Sequence, residues 1–199
     1  KRSLTDLAAL RFSPPIAGGA SLPAAGLPWF MAMFGRDSIF TSLQALLARL
    51  PDAERLLVIG TGRLAPWMAQ AHVALQPALV HVDVWGRNAD AAEDVVEALR
   101  EEGIDAEVAL DLRRAVGRAD LITSATTSRE PLIRGAWLRD GTHVDLVGAF
   151  RRDMREADDA AILRARVIVD TYAGALAEAG DLTQPIGRGV ITPEHVVGE

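Results

Sequence analysis

Residues 55–65 read Arg55-Leu56-Leu57-Val58-Ile59-Gly60-Thr61-Gly62-Arg63-Leu64-Ala65, and this stretch decides the fold. A short apolar run ends in Gly60-Thr61-Gly62, and a helix-forming segment with Ala65 on its first turn follows. Strand, glycine turn and helix in that order form the G-x-G-x-x-A pattern of dinucleotide-binding sites. Each small residue has a physical task. Gly60 permits the tight turn, Gly62 lets the backbone approach a diphosphate, and Ala65 lets the helix pack close to the strand. The helix start then offers amide groups and a positive dipole end to phosphate oxygens. A bare G-x-G has little specificity, because any strand-to-helix turn can use glycine. The flanking strand and helix supply the context.

Outward from this turn the chain alternates regularly. Expected strands are Arg55–Gly60, Leu79–Trp85, Asp105–Leu110, Asp120–Ala125, His143–Gly148 and Val167–Asp170. Helices are expected at Arg63–Leu75, Asn88–Glu102, Asp111–Arg118 and Ala157–Ala165, with Asn88 and Asp111 as N-caps. Pro66 falls in a first helical turn, where its missing N–H costs little. Ala91, Val95, Val96 and Leu99 form an apolar stripe at helical spacing. Apolar strands alternating with helices predict an α/β fold, a doubly wound parallel (Rossmann) sheet of about six strands. The ligand of such a sheet binds at the carboxyl ends of the strands.

Composition narrows the function classes. The chain has 199 residues, 49% of them hydrophobic, and no cysteine, which excludes disulfides, thiolate nucleophiles and cysteine metal sites. Net charge is −6 with no basic run, which argues against nucleic acid as a partner. Lys1 is the sole lysine, so it is the only candidate for lysine chemistry. Charge divides unevenly: residues 1–50 hold five basic and two acidic residues (+3), and residues 51–199 hold sixteen and twenty-five (−9). The uncharged stretch from Phe12 to Gly35 contains Pro14, Pro15, Pro23 and Pro28 and four glycines, which would break a membrane-spanning helix or a signal core. The expectation is a cytoplasmic protein without a membrane partner. Its domain is residues 51–199, preceded by an N-terminal loop-plus-helix appendage at 1–50. The apolar segment 39–50 is the helix of that appendage, placed to cover a sheet edge or face.

Cofactor choice is read at the tip of the second strand, Val82-Asp83-Val84-Trp85-Gly86-Arg87-Asn88. An NAD-preferring site carries an acid there, whereas this tip has Gly86 followed by Arg87. A guanidinium at Arg87 can bind an adenosine 2′-phosphate as a planar bidentate donor, so NADPH is favoured and NADH remains possible. The alternative is that Arg87 is a solvated turn residue. Asp83 lies about twenty residues past the glycines, the spacing of a ribose-binding acid, but inside the strand rather than at its tip.

Residues from about 51 to 199 resemble the ornithine cyclodeaminase/mu-crystallin family. The matching stretches are 57–62 (Leu-Val-Ile-Gly-Thr-Gly), 84–88 (Val-Trp-Gly-Arg-Asn), 123–131 (Thr-Ser-Ala-Thr-Thr-Ser-Arg-Glu-Pro), 141–149 (Gly-Thr-His-Val-Asp-Leu-Val-Gly-Ala) and 175–182 (Ala-Leu-Ala-Glu-Ala-Gly-Asp-Leu). The resemblance implies a Rossmann domain that carries NAD(P)H to a small cyclic imino acid or amino acid. The family includes ornithine cyclodeaminase, ketimine reductases and reductases of pyrroline- and piperideine-2-carboxylate. Carried over by position, Gly60, Thr61, Gly62, Arg63 and Leu64 surround the pyrophosphate, and Arg87 and Asn88 meet the adenosine ribose or its phosphate. Ser124, Ala125 and Thr126 line the nicotinamide ribose, and Val147, Gly148 and Ala149 flank the nicotinamide. Each position also has a plainer reading: hydroxyls after a strand often cap the next turn, and Val147 fits an ordinary core.

Two departures from the family pattern bear on activity. The cyclodeaminases' catalytic aspartate follows the Val-Gly-Ala/Gly turn, and Phe150 holds that position here, so the match is to the reductase branch. The family's substrate domain precedes the Rossmann domain and supplies an arginine and a lysine. The present sequence has neither that domain nor a lysine beyond Lys1. The family dimerises through that front domain, which leaves a homodimer open but disfavoured. In its place, residues 24–38, including Phe34-Gly35-Arg36-Asp37-Ser38, resemble bacterial glycogen-debranching (amylo-alpha-1,6-glucosidase) proteins. The resulting expectation is a chimera of two fragments, joined between Ser42 and Pro51. Fifty residues cannot build the barrel of such a glycosidase, and Asp37 lacks a second carboxylate.

The remaining residues have structural readings. His72, His81, His143 and His195 show no ligand spacing, and no metal is expected. Arg151, Arg152, Asp153, Glu156, Asp158 and Asp159 read as a solvated connection and a helix start. Trp67, Trp85 and Trp137 read as packing groups.

Overall fold

The structure is a computed structural model and describes residues 11–12, 22–23, 50 and 52–199. The debranching-like stretch 24–38 and the expected helix 39–50 fall outside these residues, except for Leu50, which is not helical and packs against the core. Two short strands, β1 (Arg11–Phe12) and β2 (Leu22–Pro23), pair antiparallel.

The main element series begins with β3 (Arg55–Ile59), α1 (Ala65–Leu75), β4 (His81–Trp85), α2 (Ala89–Glu101) and β5 (Ala106–Val108). It continues with α3 (Leu112–Arg118), β6 (Leu121–Ser124) and β7 (His143–Leu146). These five strands form one sheet in the order β5-β4-β3-β6-β7, and every pairing is parallel. The chain winds outward from β3 through β4 to β5, then returns to β6 on the other side of β3. Its direction of winding therefore reverses between β3 and β6, the place where open α/β sheets bind ligands.

The apolar run of β3 explains its central position. Leu56, Leu57, Val58 and Ile59 are all buried, and they alternate between two cores. Leu56 and Val58 face Ala65, Ala69, Val95 and Leu99 of α1 and α2, while Leu57 and Ile59 face Val116, Ile122, Ile133 and Ile162. Both faces of a parallel sheet must be covered, and the two helical layers cover them.

The N-caps lie where expected: the Asn88 side chain accepts from Asp90 N at 3.0 Å, and Asp111 from Arg114 N at 3.0 Å. The apolar stripe of α2 is shifted by one residue. Ala92, rather than Ala91, is buried with Val95, Val96 and Leu99, because 92, 95, 96 and 99 share one helical face.

The sheet has five strands, not six. The expected sixth strand, Val167–Asp170, shortens to β8 (Val167–Ile168), which follows α4 (Asp159–Arg164) and pairs in parallel with β9 (Val196–Gly198). Arg166 and Asp170 flank it on the surface and Ile168 is exposed, so it lacks the continuous burial of an interior strand. Two helices lie beyond those expected from the sequence: α5 (Tyr172–Glu178) and α6 (Gly180–Gly187). Pro185 inside α6 argues against a helix in sequence terms. No described helix is long and apolar enough to cross a membrane.

Truncating Leu57 to Ala should cost about 2–5 kcal/mol, since the side chain is fully buried between layers. Leu110→Ala, at a residue 85% exposed, should change stability by no more than about 0.5 kcal/mol. Urea unfolding of the two variants checks the contrast. Equal costs would contradict the layer assignment.

Candidate functional site

The carboxyl ends of four strands are aligned by register. Ile59 pairs with Trp85 and with Ser124, and Ser124 pairs with Leu146. The residues that follow, Gly60, Gly86, Ala125 and Val147, therefore leave the sheet along a single edge. Three bonds tie these exits together: Gly60 N donates to Trp85 O at 2.9 Å, Ala125 N to Ile59 O at 3.1 Å, and Val147 N to Ser124 O at 2.9 Å. All thirteen residues singled out as candidates lie on this edge, on four turns.

The first turn has the geometry its glycines call for. Gly60 has φ +117°, and a Cβ there would lie 2.9 Å from the Ala125 carbonyl oxygen. The turn must bend sharply and press against the neighbouring exit at once, which only glycine allows. Gly62 differs: a Cβ there would meet no atom within 4 Å. Its backbone faces open space, and nothing in the described structure fills it. Thr61 packs against the Gly86 turn, and Arg63 and Leu64 are exposed. Ala65 is buried, and its N–H donates to Gly62 O at 3.0 Å. The start of α1 has no side-chain cap and no acidic residue in its first turn. An uncapped helix start beside an open glycine backbone fits an anionic group such as a diphosphate.

At the second exit Arg87 is exposed and has no hydrogen-bond or ion-pair partner among the described residues. Asn88 uses its side-chain oxygen as the α2 cap. Asp83 is not at the edge. It is fully buried inside β4, with Arg118 at 2.5 Å and Arg55 at 3.0 Å, so its carboxylate is already committed. His81, Asp83 and Glu107 bring possible ligand atoms within 4.8 Å of one another, but Arg118 also binds Glu107 at 2.8 Å. Two guanidinium groups neutralise the cluster, which makes it an ion network rather than a metal centre.

The third and fourth exits meet on a residue that the sequence reading misplaced. Glu156, expected on a solvated connection, has no exposed surface. Its Oε1 accepts from Ser124 Oγ at 2.6 Å, Thr126 N at 2.7 Å and Thr126 Oγ1 at 2.8 Å, and its Oε2 accepts from Gly148 N at 2.6 Å. A Cβ on Gly148 would lie 2.5 Å from Oε1 and would collide with the Thr126 backbone, so glycine is needed for this close approach. Val147 is half-buried, and Ala149 is buried.

Behind Glu156, Asp181 at the start of α6 accepts from the backbone amides of Glu156 (3.0 Å) and Ala157 (2.9 Å). Arg155 is also buried, but turns to Ala157 O and Asp159. Burial pushes the Glu156 carboxyl up to about 7; the bonds from Ser124 and Thr126 oppose the shift and Asp181 adds to it. Burial likewise raises Asp181, against the pull of its two amides and Arg155. The spacing of Ser124 and Thr126, two hydroxyls on one side of an exit, was the available signal for a shared acceptor. Asp158 does cap α4, as expected of a helix start. Trp85 and Trp137 pack against the second core, whereas Trp67 is 58% exposed and is no packing group.

A profile of the ornithine cyclodeaminase/mu-crystallin family matches residues 44–199. A Delta(1)-pyrroline-2-carboxylate reductase of Paracoccus denitrificans is 48% identical over 157 residues, which are 78% of this chain and 49% of the relative. Ketimine reductase mu-crystallin of Mus musculus is 30% identical over 150 residues, 74% of this chain and 46% of that protein. Among solved structures, Thermococcus litoralis Delta(1)-pyrroline-2-carboxylate reductase in complex with NADH and L-proline has TM-score 0.76 and 29% identity. That likeness covers 80% of this chain and 50% of the other. The chain thus spans about half the length of the relatives it matches. Nothing in these comparisons supports the debranching-enzyme likeness of residues 24–38.

The raised Glu156 carboxyl has a stability consequence. Between about pH 4.5 and 7 the folded chain holds a proton that the unfolded chain has released. The stability that Glu156 contributes is fully present below about pH 4.5 and lost as pH rises through about 7, to a total of about 3 kcal/mol. The stability difference between wild type and Glu156→Gln should therefore change by up to that amount between pH 4.5 and 8 in urea unfolding. A difference independent of pH would contradict the burial.

Proposed function

Since the chain belongs to the ornithine cyclodeaminase/mu-crystallin family, we propose that it is the NAD(P)H-binding part of a reductase of cyclic imino acids of the pyrroline-2-carboxylate or ketimine type. The open backbone at Gly62, beside an uncapped helix start, carries this reading, because it leaves room for two phosphoryl groups and supplies amide donors to them. Gly60, Thr61, Gly62, Arg63 and Leu64 hold the diphosphate. Arg87 and Asn88 meet the adenosine ribose; Ser124, Ala125 and Thr126 the nicotinamide ribose; Val147, Gly148 and Ala149 the nicotinamide. When bound, a reduced nicotinamide supplies a hydride to the carbon of a C=N bond. The residues of this chain bind and orient it, and the buried Gly148 and Ala149 keep water from one side.

Phe150 has no proton to exchange, which favours reduction over cyclodeamination. The domain is residues 51–199, with 1–50 an appendage. Substrate would be a small cyclic imino acid whose carboxylate is held by groups outside the residues assigned here. NADPH is preferred over NADH, because the Arg87 guanidinium, without a partner among the described residues, stands where a 2′-phosphate would be drawn. A second reading, cofactor binding without turnover, is favoured by Lys1 being the only lysine.

Titration with NADPH should quench tryptophan fluorescence, and pyrroline-2-carboxylate then separates the two readings by consumption of NADPH. Gly62→Val should fold as wild type, since its side chain meets nothing, yet weaken dinucleotide binding by about tenfold or more. Arg87→Asp should shift preference toward NADH. Wild-type binding by Gly62→Val would remove the diphosphate assignment, and unchanged preference in Arg87→Asp would remove the NADPH assignment.

A further inference from the structure

Glu156 is a buried acid with no cation bonded to its carboxylate among the described residues. No described cation pairs with it: Arg155 beside it turns toward Ala157 O and Asp159. All four of its hydrogen bonds come from neutral donors. Burying a carboxylate under such conditions is costly, and an apolar side chain would avoid that cost. An apolar side chain would, however, leave the hydroxyls of Ser124 and Thr126 and the amides of Thr126 and Gly148 without this acceptor. A carboxylate accepts only, so it satisfies all four at once. These donors come from two different strand exits, one after β6 and one after β7. A single side chain therefore joins the two exits beyond the last backbone bond between them, Val147 N to Ser124 O at 2.9 Å.

We propose that Glu156 is the positioning residue for the nicotinamide half of the cofactor site, setting the spacing between residues 124–126 and the turn 147–149. This inference rests on the dinucleotide reading above. Its distinctive consequence is asymmetry. The glycine turn at 60–62 and the Arg87 tip do not touch Glu156, so the adenosine and diphosphate half binds without it. NADH binding depends on Glu156, and ADP-ribose binding does not.

Protonation acts on the same asymmetry. A protonated carboxyl has one acceptor position fewer and adds a donor among four donors. The charged groups around Glu156 are Asp181 on α6, bonded to its backbone amide, and Arg155 on its own segment. From the β6 and β7 exits only the neutral Ser124, Thr126 and Gly148 face it. Burial, with Asp181 adding to it, disfavours the ionised form, and the acceptor position lost on protonation as pH falls through neutrality loosens the two exits from one another.

The test is calorimetric titration of the full chain with NADH and, separately, with ADP-ribose, for wild type and Glu156→Gln. Glutamine keeps one acceptor oxygen but turns an amino group toward Gly148 N. The expected result is an NADH affinity about tenfold weaker with ADP-ribose affinity within about twofold of wild type. The wild-type ratio of the two affinities should also fall as pH drops below 7, and the variant's ratio should stay flat. Equal weakening of both ligands, or no weakening of either, would overturn the assignment. If wild type itself binds neither ligand, the dinucleotide reading fails first and the Glu156 assignment with it. Should Glu156→Gln not fold, Thr126→Val removes one donor to the same oxygen and must show the same asymmetry. Thr126→Val binding both ligands as wild type does would overturn the assignment equally.

Discussion

The meeting of Gly60 with Ala125 is the constraint on which the rest of this molecule depends. The winding of the sheet reverses between β3 and β6, so the two strands run side by side and leave the sheet at the same edge. Their exits must then clear one another at contact distance. Gly60 solves this with a positive φ and no side chain, since a Cβ there would lie only 2.9 Å from the Ala125 carbonyl oxygen. Both chains turn away above this point, which is where an open α/β sheet places its ligand crevice. A larger residue at position 60 would push the exits apart.

The other half of the crevice is organised differently. Past the backbone bonds of Ala125 and Val147, residues 124–126 and 147–149 are joined by one carboxylate brought in from residue 156 and braced from behind by Asp181. In the proposed site a glycine turn and a buried acid thus share the work, one for each half of the dinucleotide. The cost of that arrangement is visible in the raised Glu156 carboxyl, which burial keeps from ionising as readily as an exposed one. Sites that hold a ligand often keep such unfavourable groups, because geometry rather than stability selects them.

The sequence makes the sheet legible because its strands are nearly continuous apolar runs, and Leu56 to Ile59 have no other use than burial on both sides. The glycine turn is legible for a similar reason: Gly60 and Gly62 stand between an unmistakable strand and a helix with Pro66 in its first turn. The Glu156 hub is not legible in this way. Arg151, Arg152, Asp153, Arg155, Glu156 and Asp158 look alike as a charged run, and only the fold separates exposed Arg152 from buried Glu156. Long-range bonds between residues 124 and 156 leave no periodic trace. The sixth strand failed for the opposite reason: Val167, Ile168 and Val169 have strand composition, but composition does not say which partner they pair with. Helix α6 was concealed by Pro185, whose cost is borne by the burial of Leu182 and of Pro185 itself.

The central claim is that a dinucleotide lies along the carboxyl edge of β3 and β6, its diphosphate on main-chain amides at 61–64. Amide-resolved nuclear magnetic resonance during NADH addition tests this most directly. The account predicts that the Thr61, Gly62, Arg63 and Leu64 amides shift most, followed by Ala125 and Thr126. The amides of Glu54, Asp120 and Arg139 at the opposite edge should stay in place. Shifts centred on the opposite edge, or none at Gly62 at a saturating concentration, would contradict it.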